Sequence, residues 1–116
     1  MTHVAGNSSG GWIALELGRL HRARTVTGLS PAGLWRRTAP RHIRLAVTIA
    51  FGSRDRVLLP GVARRRDQLP DHTRWVTLAG CGHVPMFDDP QAVTDLLLAA
   101  THPDTAGELG KPIRGR

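Results

Sequence analysis

Cysteine, lysine and tyrosine are almost missing from this chain. Among 116 residues there is one cysteine, Cys81, one lysine, Lys111, and no tyrosine. A single cysteine excludes an internal disulfide and a cysteine-built zinc cluster, and it fits a reducing compartment. The histidines at 3, 21, 42, 72, 83 and 102 show no H-x-x-x-H spacing, so neither a metal centre nor another cofactor is expected. No apolar run approaches the roughly 20 residues that span a bilayer. The N-terminus also lacks the basic region and apolar core of a signal peptide. A soluble, cytoplasmic protein with no membrane partner is the expectation. Aromatics are scarce too, with two Phe and three Trp. The formal charge of +7 is carried almost wholly by arginines scattered at 22, 24, 36, 37, 64–66 and in the tail. Without a continuous basic arm or interleaved aromatics, no specific nucleic-acid partner is expected, only weak polyanion attraction at low salt.

What is present is glycine, 13 residues of it, and an apolar fraction of 41%, adequate for one core in a chain of ordinary domain size. Thr2–Ala5 reads as the stub of a strand. "GGWIALELGRLHR", residues 10–22, carries apolar residues at Trp12, Ile13, Leu15, Leu17 and Leu20, a rough helical stripe that Gly18 weakens. "ARTVTGLS" at 23–30 is a short β-prone run, and the proline-bearing 31–44 is a connection. "LAVTIAFG" at 45–52 is continuous, apolar and β-branched, as suits a strand covered on both faces. Residues 61–69 predict a helix that Pro70 stops, and "TRWVTLAG" at 73–80 another strand. In "DDPQAVTDLLLAA", Asp89 before Pro90 has the pattern of an N-cap, and Val93, Leu96, Leu97 and Ala100 mark a docked face. Residues 103–116, rich in glycine, proline and charge, are expected to be a disordered tail.

This order predicts an α/β fold of about four parallel strands with flanking helices. Loops leaving the carboxyl ends of such strands gather along one edge, where sites in these sheets lie. Gly6-Asn7-Ser8-Ser9-Gly10 is a G-x-S-x-G at a strand-to-helix turn, which predicts a strained elbow holding the Ser8 hydroxyl above the sheet. Gly6 and Gly10 are expected to remove collisions on either side of it. The N–H of Ser9 would then point at an oxyanion formed there. A serine hydroxyl needs a base. The strand ends supply Asp55 in "FGSRD" and His83 in "GCGH", giving the chain order Ser, Asp, His. Cys81 is expected to be a small buried apolar residue, and Trp12, Trp35 and Trp75 packing residues.

Here the chain resembles the α/β-hydrolase family. "GNSSGGWIALELG", "LSPAG", "VTIAFGSRDRVLLP" and "LAGCGHVPMFDDPQAVTDLLL" match its nucleophile elbow, following strand, acid strand and histidine loop, in that order. The match covers residues 2–100. It makes residues 1–102 the C-terminal part of such a domain, from elbow to last helix, with Ser8 as nucleophile, Asp55 as acid and His83 as base. It implies cleavage of an ester, thioester, lactone, amide or carbon–carbon bond of a small molecule through an acyl-enzyme. A serine at the elbow argues against the branch holding epoxide hydrolases and haloalkane dehalogenases, which uses aspartate there. The family pattern also places several strands before the elbow, a loop with a second oxyanion N–H, and a cap between the "LSPAG" strand and the acid strand. None is found here, and Ser9 replaces a larger apolar residue. An exposed edge at Thr2–Ala5 is therefore expected, with marginal stability and self-association. Two other readings stay open: a non-catalytic remnant of a hydrolase, and a basic module that binds polyanions.

Overall fold

The computed structural model describes residues 2–34, 43–59 and 65–102. Its strands are β1 (His3–Asn7), β2 (Thr25–Leu29), β3 (Ala46–Gly52) and β4 (Arg74–Leu78). They form one sheet in the order β1-β2-β3-β4, every pair parallel. Helix α1 (Ser9–Arg19) follows β1, and α2 (Pro85–Asp88) and α3 (Pro90–Ala100) follow β4. Sheet and flanking helices are those expected. The tail at 103–116, Trp35, and the first half of the helix expected over 61–69 lie outside the described residues. Within 65–69 there is only one 3-10 turn, Arg66–Gln68.

Strand alternation sorts the core into two layers. Val26, Val47, Ile49 and Phe51 pack with Ala14 and Leu15 of α1. Leu29, Ala50 and Leu78 turn to the other face and pack with Ala92, Val93 and Leu96 of α3. With apolar residues alternately feeding both layers, β3 is buried almost throughout, which explains its unbroken apolar sequence. Trp12 and Trp75 pack against the first layer, and Cys81 lies buried in the second.

Of the stripe of large residues, α1 fully buries only Leu15, with Trp12 packed partly against the same layer. Its buried positions are Gly11, Ala14, Leu15 and Gly18, while Ile13 and Leu20 are exposed. Close approach decides this: a Cβ at Gly18 would lie 2.7 Å from Val26 Cγ2, so the helix meets the sheet through its small residues. The helix also ends at Arg19, short of the periodic run. His21 N–H donates to Gly18 O (3.1 Å) and Arg22 N–H to Leu17 O (2.8 Å), with His21 at φ 58°. This is a Schellman stop with histidine in the left-handed position usually given to glycine. At the other end of the chain Asp89 caps α3 as expected, accepting from Ala92 N–H at 3.0 Å, a contact worth about 1 kcal/mol. No helix among the described residues is long and apolar enough to cross a membrane.

Strand β1 runs two residues further than the expected stub, and with β4 it is one of the two edge strands of the described sheet. Among the described residues its outer flank pairs with nothing, which leaves backbone donors and acceptors open to another chain. Sedimentation velocity over a dilution series should therefore show species larger than a monomer. A chain that stays monomeric and melts in one sharp transition would refute this.

Candidate active site

Parallel pairing puts the carboxyl ends of all four strands on one edge. Ser8 follows β1, Asp55 lies three residues past β3, and His83 lies five past β4. Strands β1 and β4 are three spacings apart, roughly 14 Å. The loop 79–84 must fold back over the tips of β3 and β2 to bring His83 to Ser8. It does so.

Ser8 sits between β1 and α1 with φ 57° and ψ −119°, a conformation rare for any residue but glycine and costing roughly 1–3 kcal/mol. Its N–H donates to Leu29 O (2.9 Å), and its carbonyl accepts from Gly11 (3.0 Å), Trp12 (3.3 Å) and Ala32 (3.0 Å) N–H groups. A serine at this N-cap position ordinarily turns its hydroxyl to the helix. Here no side-chain cap bond forms, and Oγ lies 2.9 Å from His83 Nε2. The glycines divide the work differently from the expectation. A Cβ on Gly6 would overlap the Gly10 carbonyl, so Gly6 is sterically required. A Cβ on Gly10 would meet nothing within 4 Å, because it is Gly10's backbone, not its side-chain position, that faces Gly6. The second crowded position is Gly11, whose Cβ would lie 2.8 Å from Pro31 Cβ.

His83 Nδ1 lies 3.0 Å from Asp55 Oδ2. The carboxylate only accepts, so Nδ1 carries a proton, and in the neutral ring Nε2 accepts from the Ser8 hydroxyl. Asp55 Oδ1 takes the N–H groups of Val57 and Leu58, both at 2.9 Å. The Asp55 side chain is 0% exposed and that of His83 17%. Burial by itself would raise the Asp55 pKa; the Leu58 amide, the His83 ring and charge and the Val57 amide outweigh it and hold the carboxyl below its ordinary value. Ser9 opens α1, so its N–H has no acceptor one turn back and stands beside the Ser8 hydroxyl's attachment point.

Further groups shape the histidine loop, and none was given this role from sequence. A Cβ at Gly52 would overlap the carbonyls of Cys81 and Gly82, so only a glycine at the end of β3 lets the loop cross. Arg54 N–H donates to Cys81 O (2.9 Å), Gly80 N–H to Ser53 Oγ (2.8 Å) and Gly82 N–H to Asp88 Oδ2 (2.7 Å). Asn7 Nδ2 donates to His83 O and to Leu29 O, both at 3.0 Å. The serine motif pointed to Asn7's position but not to its contacts, which join segments 76 residues apart. Among the described residues no three His, Cys, Asp or Glu side chains gather as metal ligands would.

The fold is the α/β-hydrolase fold, present in part. A search for matching protein families found none. The chain is 33% identical over 105 residues to the curated epoxide hydrolase EphH of Mycobacterium tuberculosis, covering 90% of this chain and 46% of that protein. It thus spans about half the length of that relative. A predicted CIB-like hydrolase from Thermoplasma acidophilum superimposes with a TM-score of 0.73 at 17% identity, over 83% of this chain and 48% of the other. An alpha-beta serine hydrolase homologue from Coxiella burnetii gives 0.63 at 17% identity, over 81% and 46%.

Two outcomes follow from this geometry. Gly6→Ala should destabilise the chain by on the order of 3 kcal/mol through backbone overlap, whereas Gly10→Ala should be neutral or stabilising by up to about 1 kcal/mol; thermal unfolding of the pair distinguishes them. The lowered Asp55 pKa stabilises the fold above the unfolded carboxyl value of about 3.9 and ceases to do so as pH falls through the lower folded value. Urea unfolding from pH 6 down to pH 3 should show the wild type losing stability against Asp55→Asn only below about pH 4.

Proposed function

We propose that the chain is a serine hydrolase domain that cleaves an ester, thioester, lactone, amide or carbon–carbon bond of a small molecule through an acyl-enzyme. The observation that carries this is the unbroken line from Ser8 Oγ to His83 Nε2 and from His83 Nδ1 to Asp55 Oδ2, at 2.9 and 3.0 Å. Ser8 Oγ attacks the substrate carbonyl carbon as its proton passes to His83 Nε2. Asp55 keeps the ring in the tautomer that accepts this proton and stabilises the imidazolium. The Ser9 N–H donates to the oxygen on which negative charge builds. Collapse breaks the bond to the leaving group, which takes the proton from His83. Water, deprotonated by the same ring, then releases the acid and restores the Ser8 hydroxyl. No cofactor is needed for these steps. The buried lone Cys81 suits a reducing compartment such as the cytoplasm.

The name of the Mycobacterium tuberculosis relative favours a second reading, epoxide opening. Chemistry at residue 8 weighs against it. A serine oxygen that opens an epoxide is left as an alkyl ether, with no acyl carbon for water to attack. An oxygen that takes up an acyl group is left as an ester, which water releases.

A fluorophosphonate probe should label Ser8, and Ser8→Ala should abolish labelling. Asp55→Asn should slow it by roughly 10⁴-fold, the size of effect seen when a triad histidine loses its carboxylate. Peptide mapping of the labelled chain decides the matter. Label that survives in Ser8→Ala refutes the assignment, and a folded wild type that takes none supports the non-catalytic remnant.

A further inference from the structure

Ser8 and His83 belong to opposite margins of the sheet, and a hydrogen bond between two side chains is a weak tie between them. Other hydrogen bonds of the histidine loop run back to Leu78 of β4, to the residues just past β3, through Arg54, Ser53 and Asp55, and forward to Asp88 of α2. They hold the loop to its own side. Asn7 does something different. It ends β1 on the same face as Leu29, its register partner, and that face is the one covered by α3 and the loop before it. Its carboxamide nitrogen reaches His83 O at 3.0 Å and Leu29 O at 3.0 Å. Both acceptors are backbone carbonyls, so chemistry alone fixes the amide orientation: the NH₂ faces them and both its hydrogens are used. Leu29 O also accepts the Ser8 N–H at 2.9 Å. One side chain therefore joins the backbone of His83 to the carbonyl on which the backbone of Ser8 hangs.

We propose that Asn7 is a positioning residue, whose carboxamide sets the separation of Ser8 Oγ and His83 Nε2 by tying the histidine loop to the elbow. The inference rests on the reading of Ser8, His83 and Asp55 as a triad. The amide fits this task because it is short, planar and offers two donors on one atom. Alanine offers none. Aspartate has the same shape but only acceptors at neutral pH, so it sets a carboxylate against two carbonyl oxygens. A role in packing would spare Asn7→Asp and penalise Asn7→Ala; a role as double donor penalises both.

The test uses the full chain as wild type, Asn7→Ala and Asn7→Asp, each checked for folding by circular dichroism. Two readouts are taken: the rate of Ser8 phosphonylation by a fluorophosphonate, and solvent exchange of the downfield Nδ1 proton of His83 by NMR. Both variants should be labelled slower by about 10²-fold, the effect of displacing a reacting group by 1 Å, and should exchange the ring proton faster. Should Asn7→Ala fail to fold, Asn7→Asp, equal in volume, carries the same comparison. Wild-type labelling and exchange in Asn7→Asp would overturn the proposal. If the wild type is not labelled at all, the hydrolase reading fails by itself. The ring-proton exchange still decides for or against Asn7, since it reports the loop and not the reaction.

Discussion

The site depends on one crossing. A loop that leaves the sheet at β4 must return over the tips of two strands before its imidazole can meet the hydroxyl that follows β1. Space for the crossing comes from the missing side chain at Gly52, where any Cβ would strike the carbonyls of Cys81 and Gly82. Direction comes from the N–H groups of Arg54 and Gly82, which engage Cys81 O and Asp88. Asp55 lies beside the crossing because β3, which it follows, is the neighbour of β4 in the sheet. A carboxylate following the outer strand β1 would have no such proximity.

At the other end of the crossing, the strain at Ser8 is held by ordinary bonds. Its N–H and C=O are both satisfied, the first by Leu29 and the second by three amides. These partners come from β2, from α1 and from the segment after β2, so three elements would have to move for the elbow to relax. The hydroxyl is thereby freed from capping and turned outward. Gly6 completes the arrangement by letting strand and helix backbones meet. Local geometry that is unfavourable by itself persists because its surroundings over-determine it.

Much of this was legible in the residues. The parallel order followed from the alternation of strand-like and helix-like runs, and β3 from its continuous apolar sequence. Ser8, Asp55 and His83 could be chosen because each follows a strand end, and the topology delivers those ends to one edge. What was not legible depends on contacts between distant segments. The glycine pattern suggested collisions at both positions 6 and 10, yet only the three-dimensional path of α1 shows that Gly6 and Gly11 are the crowded ones. The stripe on α1 marked Leu15 but not the rest of its buried face, because close packing selects glycine and alanine, which carry little hydrophobic signal. The end of α1 was misread because a histidine stands in the left-handed position where a glycine would have announced it. Helix α2 is a single turn, too short to leave a periodic trace. Asn7 had no signal beyond its place in the motif, since both its acceptors are backbone atoms whose identity no side chain records.

The surroundings of Asp55 have one more implication. Three N–H groups converge on a carboxylate that water does not reach, two on one oxygen and one on the other. An anion solvated that completely by fixed dipoles has little affinity for a fourth hydrogen. It stays charged further into acid than an ordinary aspartate, so the ring keeps an anionic partner across the neutral range.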